Sequence, residues 1–129
     1  MLRSIISIMV GYIVVGFLTA TTFAAVAYAL LGGMPKQGQQ PVTPSIPLQM
    51  ALLAATALFA VAGGYAAALV ARRAEVQHGL GLGALLLVLS ASMFLPGHTE
   101  PLWFKLVTIA MTVPMPVLGG WLRKRFRAP

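Results

Sequence analysis

Cysteine is absent from this chain of 129 residues, and only two of its side chains are acidic. The first absence excludes disulfide staples, thiolate catalysis, Cys-ligated zinc and thiol exchange. The second leaves Glu75 and Glu100 as the whole supply of carboxylates, too few for a closed acidic metal site. Charge of any sign is scarce at 9%, whereas 59% of residues are hydrophobic. An ordinary soluble domain is about a quarter charged. So few charges cannot cover so apolar a chain in water, and the solvent that suits it is a bilayer. The length allows one domain. The expected fold class is therefore all-α, an integral membrane bundle spanning residues 1–129.

A hydrocarbon core of about 30 Å needs roughly 20 helical residues to cross it. Four runs qualify, at about residues 4–31, 48–71, 79–95 and 102–122. The first is broken by Gly32, Gly33 and Pro35. The second stops at Arg72 and Arg73, the third at Pro96 and Gly97, and the fourth at the basic tail RKRFR. Lys105, near the start of the fourth run, is close enough to an interface to snorkel. Residues 32–47 hold Pro35, Pro41, Pro44 and Pro47 with three glutamines. That composition favours extended, polyproline-like chain, read here as an external spacer between helices. PGHTEP, residues 96–101, reads as a turn. The start of the chain also has features of a cleavable signal peptide, but its apolar run is too long for one, and it is expected to stay.

Basic residues set the expected threading. Arg3, Arg72, Arg73, Arg123, Lys124, Arg125 and Arg127 fall at one end of the spans, and Lys36 and Lys105 at the other. Seven against two in short loops and tails predicts that the first end is cytoplasmic, with both termini inside. Arg72 and Arg73 are read as topological anchors. Arg123, Lys124, Arg125 and Arg127 are expected to meet anionic headgroups. The net charge of +7 would raise nucleic acid as a partner for a soluble protein. At the ends of apolar runs it points to the membrane surface, and no nucleic-acid partner is expected.

The stretch ARRAEVQHG, residues 71–79, is expected to form the one cytoplasmic loop. Glu75 and His78 could share a helix face there, and His98 and Glu100 form a similar pair across the membrane. One acid and one imidazole per side do not make a metal or catalytic site, so no catalytic, metal or cofactor residue is assigned. Glu75 is expected to balance Arg72 or Arg73, and His78 to cap a helix end or sit in the headgroup layer. GLGLG, residues 79–83, resembles a nucleotide-binding fingerprint but lacks the preceding strand that fingerprint needs. Its glycines are read as helix contacts.

Close packing of small residues holds membrane helices together. In the second span Thr56, Ala60, Gly64 and Ala68 recur every fourth residue, beside an adjoining ridge of Ala51, Ala55, Gly63, Ala67 and Ala71. The first span offers Gly16, Ala20 and Ala24 at the same spacing. These two ridges are predicted to pack against each other or against a second copy. Pro114 and Pro116 should bend the fourth span, and Trp103 and Trp121 should anchor its ends. Gly63-Gly64-Tyr65 and Gly119-Gly120-Trp121 form a faint internal echo.

The segments GGYAAALVARR (63–73), His78-Gly79, Pro101 with Trp103, and LGGWLR (118–123) together resemble a loose group of small, uncharacterised bacterial four-helix membrane proteins. The resemblance covers roughly the last two-thirds of the chain and implies a bacterial inner-membrane location, without an activity. The expected function is non-catalytic: an accessory or structural subunit of a larger membrane assembly, or a homo-oligomer, with lipids and other membrane subunits as partners. The alternative is a small transporter or channel-like protein. A proton-coupled exporter normally needs a carboxylate at membrane depth, and no span supplies one.

Overall fold

The structure, a computed structural model, describes residues 2–33, 44–98 and 100–127. All the regular structure among them is helical, in the order α1 (Leu2–Leu31), α2 (Ile46–Ala71), α3 (Glu75–Ser90), α4 (Leu102–Thr112) and α5 (Pro114–Arg127). A 3-10 turn, Ala91–Phe94, extends α3, and α4 and α5 together make one span. Four helices are thus long and apolar enough to cross a membrane. At ~1.5 Å per residue, the 26 residues of α2 reach ~39 Å, more than a hydrocarbon core requires. The chain is a multi-pass, all-α membrane bundle. Most of the Pro/Gln-rich spacer, residues 34–43, lies outside the described residues.

The ends of the helices follow from local chemistry. Pro47 sits in the first turn of α2, where a missing N–H costs nothing. Gln49 is buried in that turn, and its amide nitrogen donates to the Pro44 carbonyl at 2.9 Å. The expected loop at 71–79 shrinks to Arg72, Arg73 and Ala74, because α3 begins at Glu75, four residues ahead of the predicted Gly79. Such a short reversal needs left-handed backbone. Arg72 adopts φ 58° and Ala74 φ 52°, conformations that glycine usually supplies. The Arg72 N–H closes α2 on the Ala68 carbonyl at 3.2 Å. Pro114 and Pro116 act as expected: α4 stops at Thr112, and α5 restarts at Pro114 after a break at Val113.

α2 and α3 form the centre. α1 lies against both, and α5 lies against both from a different side. Leu82 of α3 is fully buried where α1, α2 and α3 meet, beside Val15 and Ala67. The side chains of Ile5, Ile13, Phe17, Leu58, Val88 and Leu106 point outward and are largely exposed, as lipid-facing residues are.

Candidate functional site

Glycine decides how near these helices come. A Cβ on Gly64 of α2 would collide with the Pro116 backbone of α5. One on Gly79 of α3 would lie 2.6 Å from the Pro116 carbonyl oxygen. One on Gly119 would strike the Val61 carbonyl, and one on Gly120 would lie 2.6 Å from the Glu75 carbonyl oxygen. α5 therefore sits backbone to backbone in the groove between α2 and α3, with Gly119 toward α2 and Gly120 toward α3. The second glycine pair divides its contacts in the same way. Gly64 faces α5, whereas Gly63 faces Gly11 and Val15 of α1. Both members of the sequence echo are thus packing devices that serve two neighbours each.

Of the small residues expected to form the packing face of α1, Gly11, Gly16, Ala20 and Ala24, only Gly11 is buried. Ser7, Gly11 and Val15 are the buried residues of α1. The Ser7 hydroxyl donates to the Ala67 carbonyl at 2.5 Å, and Gly11 sits against Gly63, Ala67 and Leu82. Gly16 has open space around it, and Ala20 and Ala24 are exposed. Within the chain, then, the Gly16–Ala20–Ala24 ridge does not meet the ridge of α2. One residue of offset turns a helix by ~100°, so Gly16 points well away from Val15. On α2, Ala60, Gly64 and Ala68 are buried and Thr56 is half-buried. Gly64 of that ridge meets α5, and the adjoining Gly63 and Ala67 meet α1.

At the arginine-rich end, two basic side chains from opposite ends of the chain close the C-terminus of α2. Arg3 Nε donates to the Val70 carbonyl at 3.3 Å, and Arg127 donates to the Arg72 carbonyl. The last carbonyls of a helix lack intrahelical partners and carry the negative end of its dipole, so cations suit them. Arg127 also pairs with Glu75 at 3.1 Å. Glu75 was expected to balance Arg72 or Arg73; Arg127 takes that place because α5 packs along α3 and brings its last turn beside the first residue of α3. Arg123 lies over the Tyr65 ring, 5.9 Å from its centroid, and Arg125 over Trp121 at 5.3 Å. The side chains of Arg72, Arg73 and Lys124 are exposed. His78 does not meet Glu75: its Nδ1 lies 3.0 Å from the Ala74 carbonyl, which also accepts the His78 backbone N–H, so the ring caps no unpaired helix-end group. At the far end, His98 lies 3.6 Å from Glu100, and Lys105 Nζ donates to the His98 carbonyl at 3.3 Å.

Between the helices, toward that far end, lies a half-open cavity of about 170 Å³. Val15, Leu53, Leu86 and Met111 supply much of its apolar wall, and Thr19, Thr56, Ser90, Thr108 and Thr112 bring hydroxyls to it. Three of those hydroxyls donate to carbonyls of their own helices: Thr56 to Leu52 at 2.8 Å, Thr108 to Phe104 at 2.8 Å and Thr112 to Thr108 at 2.7 Å. The Ser90 hydroxyl is 3.5 Å from that of Thr112. The Thr19 hydroxyl is shielded from solvent and has no partner among the described residues. Of this constellation only Thr56 was singled out from the sequence, and for packing. The five residues come from four helices, so no local motif announces them. The nearest signal is the recurrence of Ser and Thr within spans that lack other polar groups.

Compared with known proteins, the chain matches no family model, no curated protein and no solved structure.

Proposed function

We propose that this is a non-catalytic membrane protein of the bacterial inner membrane, acting as an accessory subunit or as a homo-oligomer. Its family is proposed to be the group of small bacterial four-helix membrane proteins that the segments at 63–73, 78–79, 101–103 and 118–123 resemble. The arginine-rich end is taken as cytoplasmic, on the seven-to-two distribution of basic residues. Arg72, Arg73, Lys124 and Arg125, which are exposed, are available to anionic headgroups.

One observation carries the reading. The Gly16–Ala20–Ala24 ridge has the spacing of a helix-packing face, yet the described residues leave it uncovered. Small residues at that spacing let another helix approach closely, which is the main drive for association in lipid. The glycines of α2, α3 and α5 already lie against neighbouring helices of the chain, whereas the ridge on α1 is open to a neighbour. The ionisable groups fit a structural role too: Glu75 holds Arg127, and Glu100 lies 3.6 Å from His98 at the far end. Native mass spectrometry from mild detergent tests the proposal. The expected result is a stable oligomer or a co-purifying subunit, lost on Gly16→Leu. A strict monomer with no companion contradicts it.

The hydroxyl-lined cavity favours a second reading, a small transporter or channel-like protein. Reproducible flux of a solute in proteoliposomes, abolished by filling the cavity, would establish that reading over the first.

A further inference from the structure

We propose that the cavity between α1, α2, α3 and α4 binds one small, neutral, mostly apolar molecule that carries a hydroxyl group, of the phenol or short-alcohol class. The inference goes beyond the role proposed above and holds whether or not the bundle associates.

Size sets the first limit. An apolar cavity of about 150 Å³ is known to accept benzene, and this one measures about 170 Å³. It takes a single substituted ring or a short chain. The wall sets the second limit. It is largely hydrocarbon, from side chains such as Leu53, Leu86 and Met111, and no charged side chain lines it. A charged molecule would lose its hydration there without a counter-ion, which is costly.

The hydroxyls set the third limit. A threonine hydroxyl has one hydrogen and two lone pairs. At Thr56, Thr108 and Thr112 the hydrogen is engaged with a backbone carbonyl. What those side chains retain is acceptor capacity, so the cavity calls for a donor. Thr19 is the exception, a shielded hydroxyl with no partner among the described residues. It asks for an acceptor. A ligand hydroxyl answers both, donating to one threonine oxygen while accepting from Thr19. A lipid tail offers neither donor nor acceptor and an ether only an acceptor, so each leaves part of this polar set unmatched.

The test uses the full chain in lipid nanodiscs, with 4-fluorophenol and 4-fluoroanisole as probes read by fluorine NMR. The two have similar shape and differ in the donor. Saturable, one-to-one binding of the phenol is expected, about tenfold tighter than the anisole, a ratio equivalent to ~1.4 kcal/mol. Ala57→Phe, which pushes a ring into the cavity, should abolish binding. Thr19→Val, which keeps the shape and removes the hydroxyl, should weaken both probes, since each carries an oxygen that can accept from Thr19, and leave the phenol's advantage over the anisole in place. Phenol signals no different from those of empty nanodiscs, equal affinity for the two probes, or undiminished binding in either variant would overturn the proposal. The comparison of probes on the unaltered chain decides the matter even where a variant fails to fold.

Discussion

The two ends of this bundle are built on opposite principles. At the arginine-rich end the helices touch through their backbones, with Gly11, Gly63, Gly64, Gly79, Gly119 and Gly120 leaving no room for a side chain between them. Arginines from both ends of the chain then tie off the C-terminus of α2. Toward the far end the glycines give way to threonine, serine and leucine, and the helices stand far enough apart to enclose a cavity. Hydroxyls there bond mostly within their own helices, and the contact between helices, Ser90 to Thr112, is long at 3.5 Å. The lesson concerns polar groups in lipid. A hydroxyl that meets its own backbone is satisfied without association, whereas a glycine permits dispersion contact that only association supplies. Stability should therefore concentrate at one end, and plasticity at the other.

That contrast breaks most visibly at the glycines. Gly119→Val places two methyl groups against the Val61 carbonyl and the Tyr65 nitrogen, both backbone atoms that cannot swing aside. The expected loss is about 1–3 kcal/mol or more, the cost of overpacking a close contact. Gly16→Ala, with open space around it, should cost nothing and gain up to about 1 kcal/mol from helix propensity. Reversible unfolding in mixed micelles measures both. Equal losses at the two positions would erase the distinction between a packed face and an uncovered one.

The α2–α3 turn sharpens the comparison in the opposite direction. Ala74 holds a left-handed φ of 52°, which costs a non-glycine residue roughly 1–2 kcal/mol. Ala74→Gly should accordingly raise the unfolding free energy by about 1 kcal/mol in the same assay. The Glu75–Arg127 pair is a smaller contributor, since the arginine is largely exposed to water and salt. Glu75→Gln should cost about 0.5–1 kcal/mol at low salt, a difference that shrinks as ionic strength rises. Smallest of all is Thr56→Val at the far end. Its hydroxyl bonds within α2, so the change should stay within about 0.5 kcal/mol, and a larger loss would show that the far-end hydroxyls do join helices.

Much of this architecture is legible before any coordinates. Hydropathy fixes four spans, Pro114 and Pro116 mark the break between α4 and α5, and spacing identifies Gly64 as a contact residue. The face of α1 is less legible because the same four-residue recurrence occurs in two registers, Ser7–Gly11–Val15 and Gly16–Ala20–Ala24. Composition ranks the second higher, since it contains only small residues. The first wins within the chain because Ser7 reaches a carbonyl of α2 and Val15 fills space beside Leu82. Glu75 shows another limit. Arg72 and Arg73 are its neighbours in sequence, but Arg127, 52 positions away, is its neighbour in space. Only the placement of α5 along α3 reveals that pairing. The cavity is hidden for the same reason, since each of its hydroxyls looks ordinary on its own helix.

Because the chain has no cysteine, single cysteines can report sidedness without a background. The most direct test that the apolar helices cross the membrane takes the last two spans: it places one at Arg73 and, in a separate variant, one at Gly97, then applies a membrane-impermeant maleimide to sealed vesicles of known orientation. Labelling of the two positions from opposite faces is the predicted result, with a cysteine at Arg127 following Arg73. Labelling of residues 73 and 97 from the same face would contradict the account.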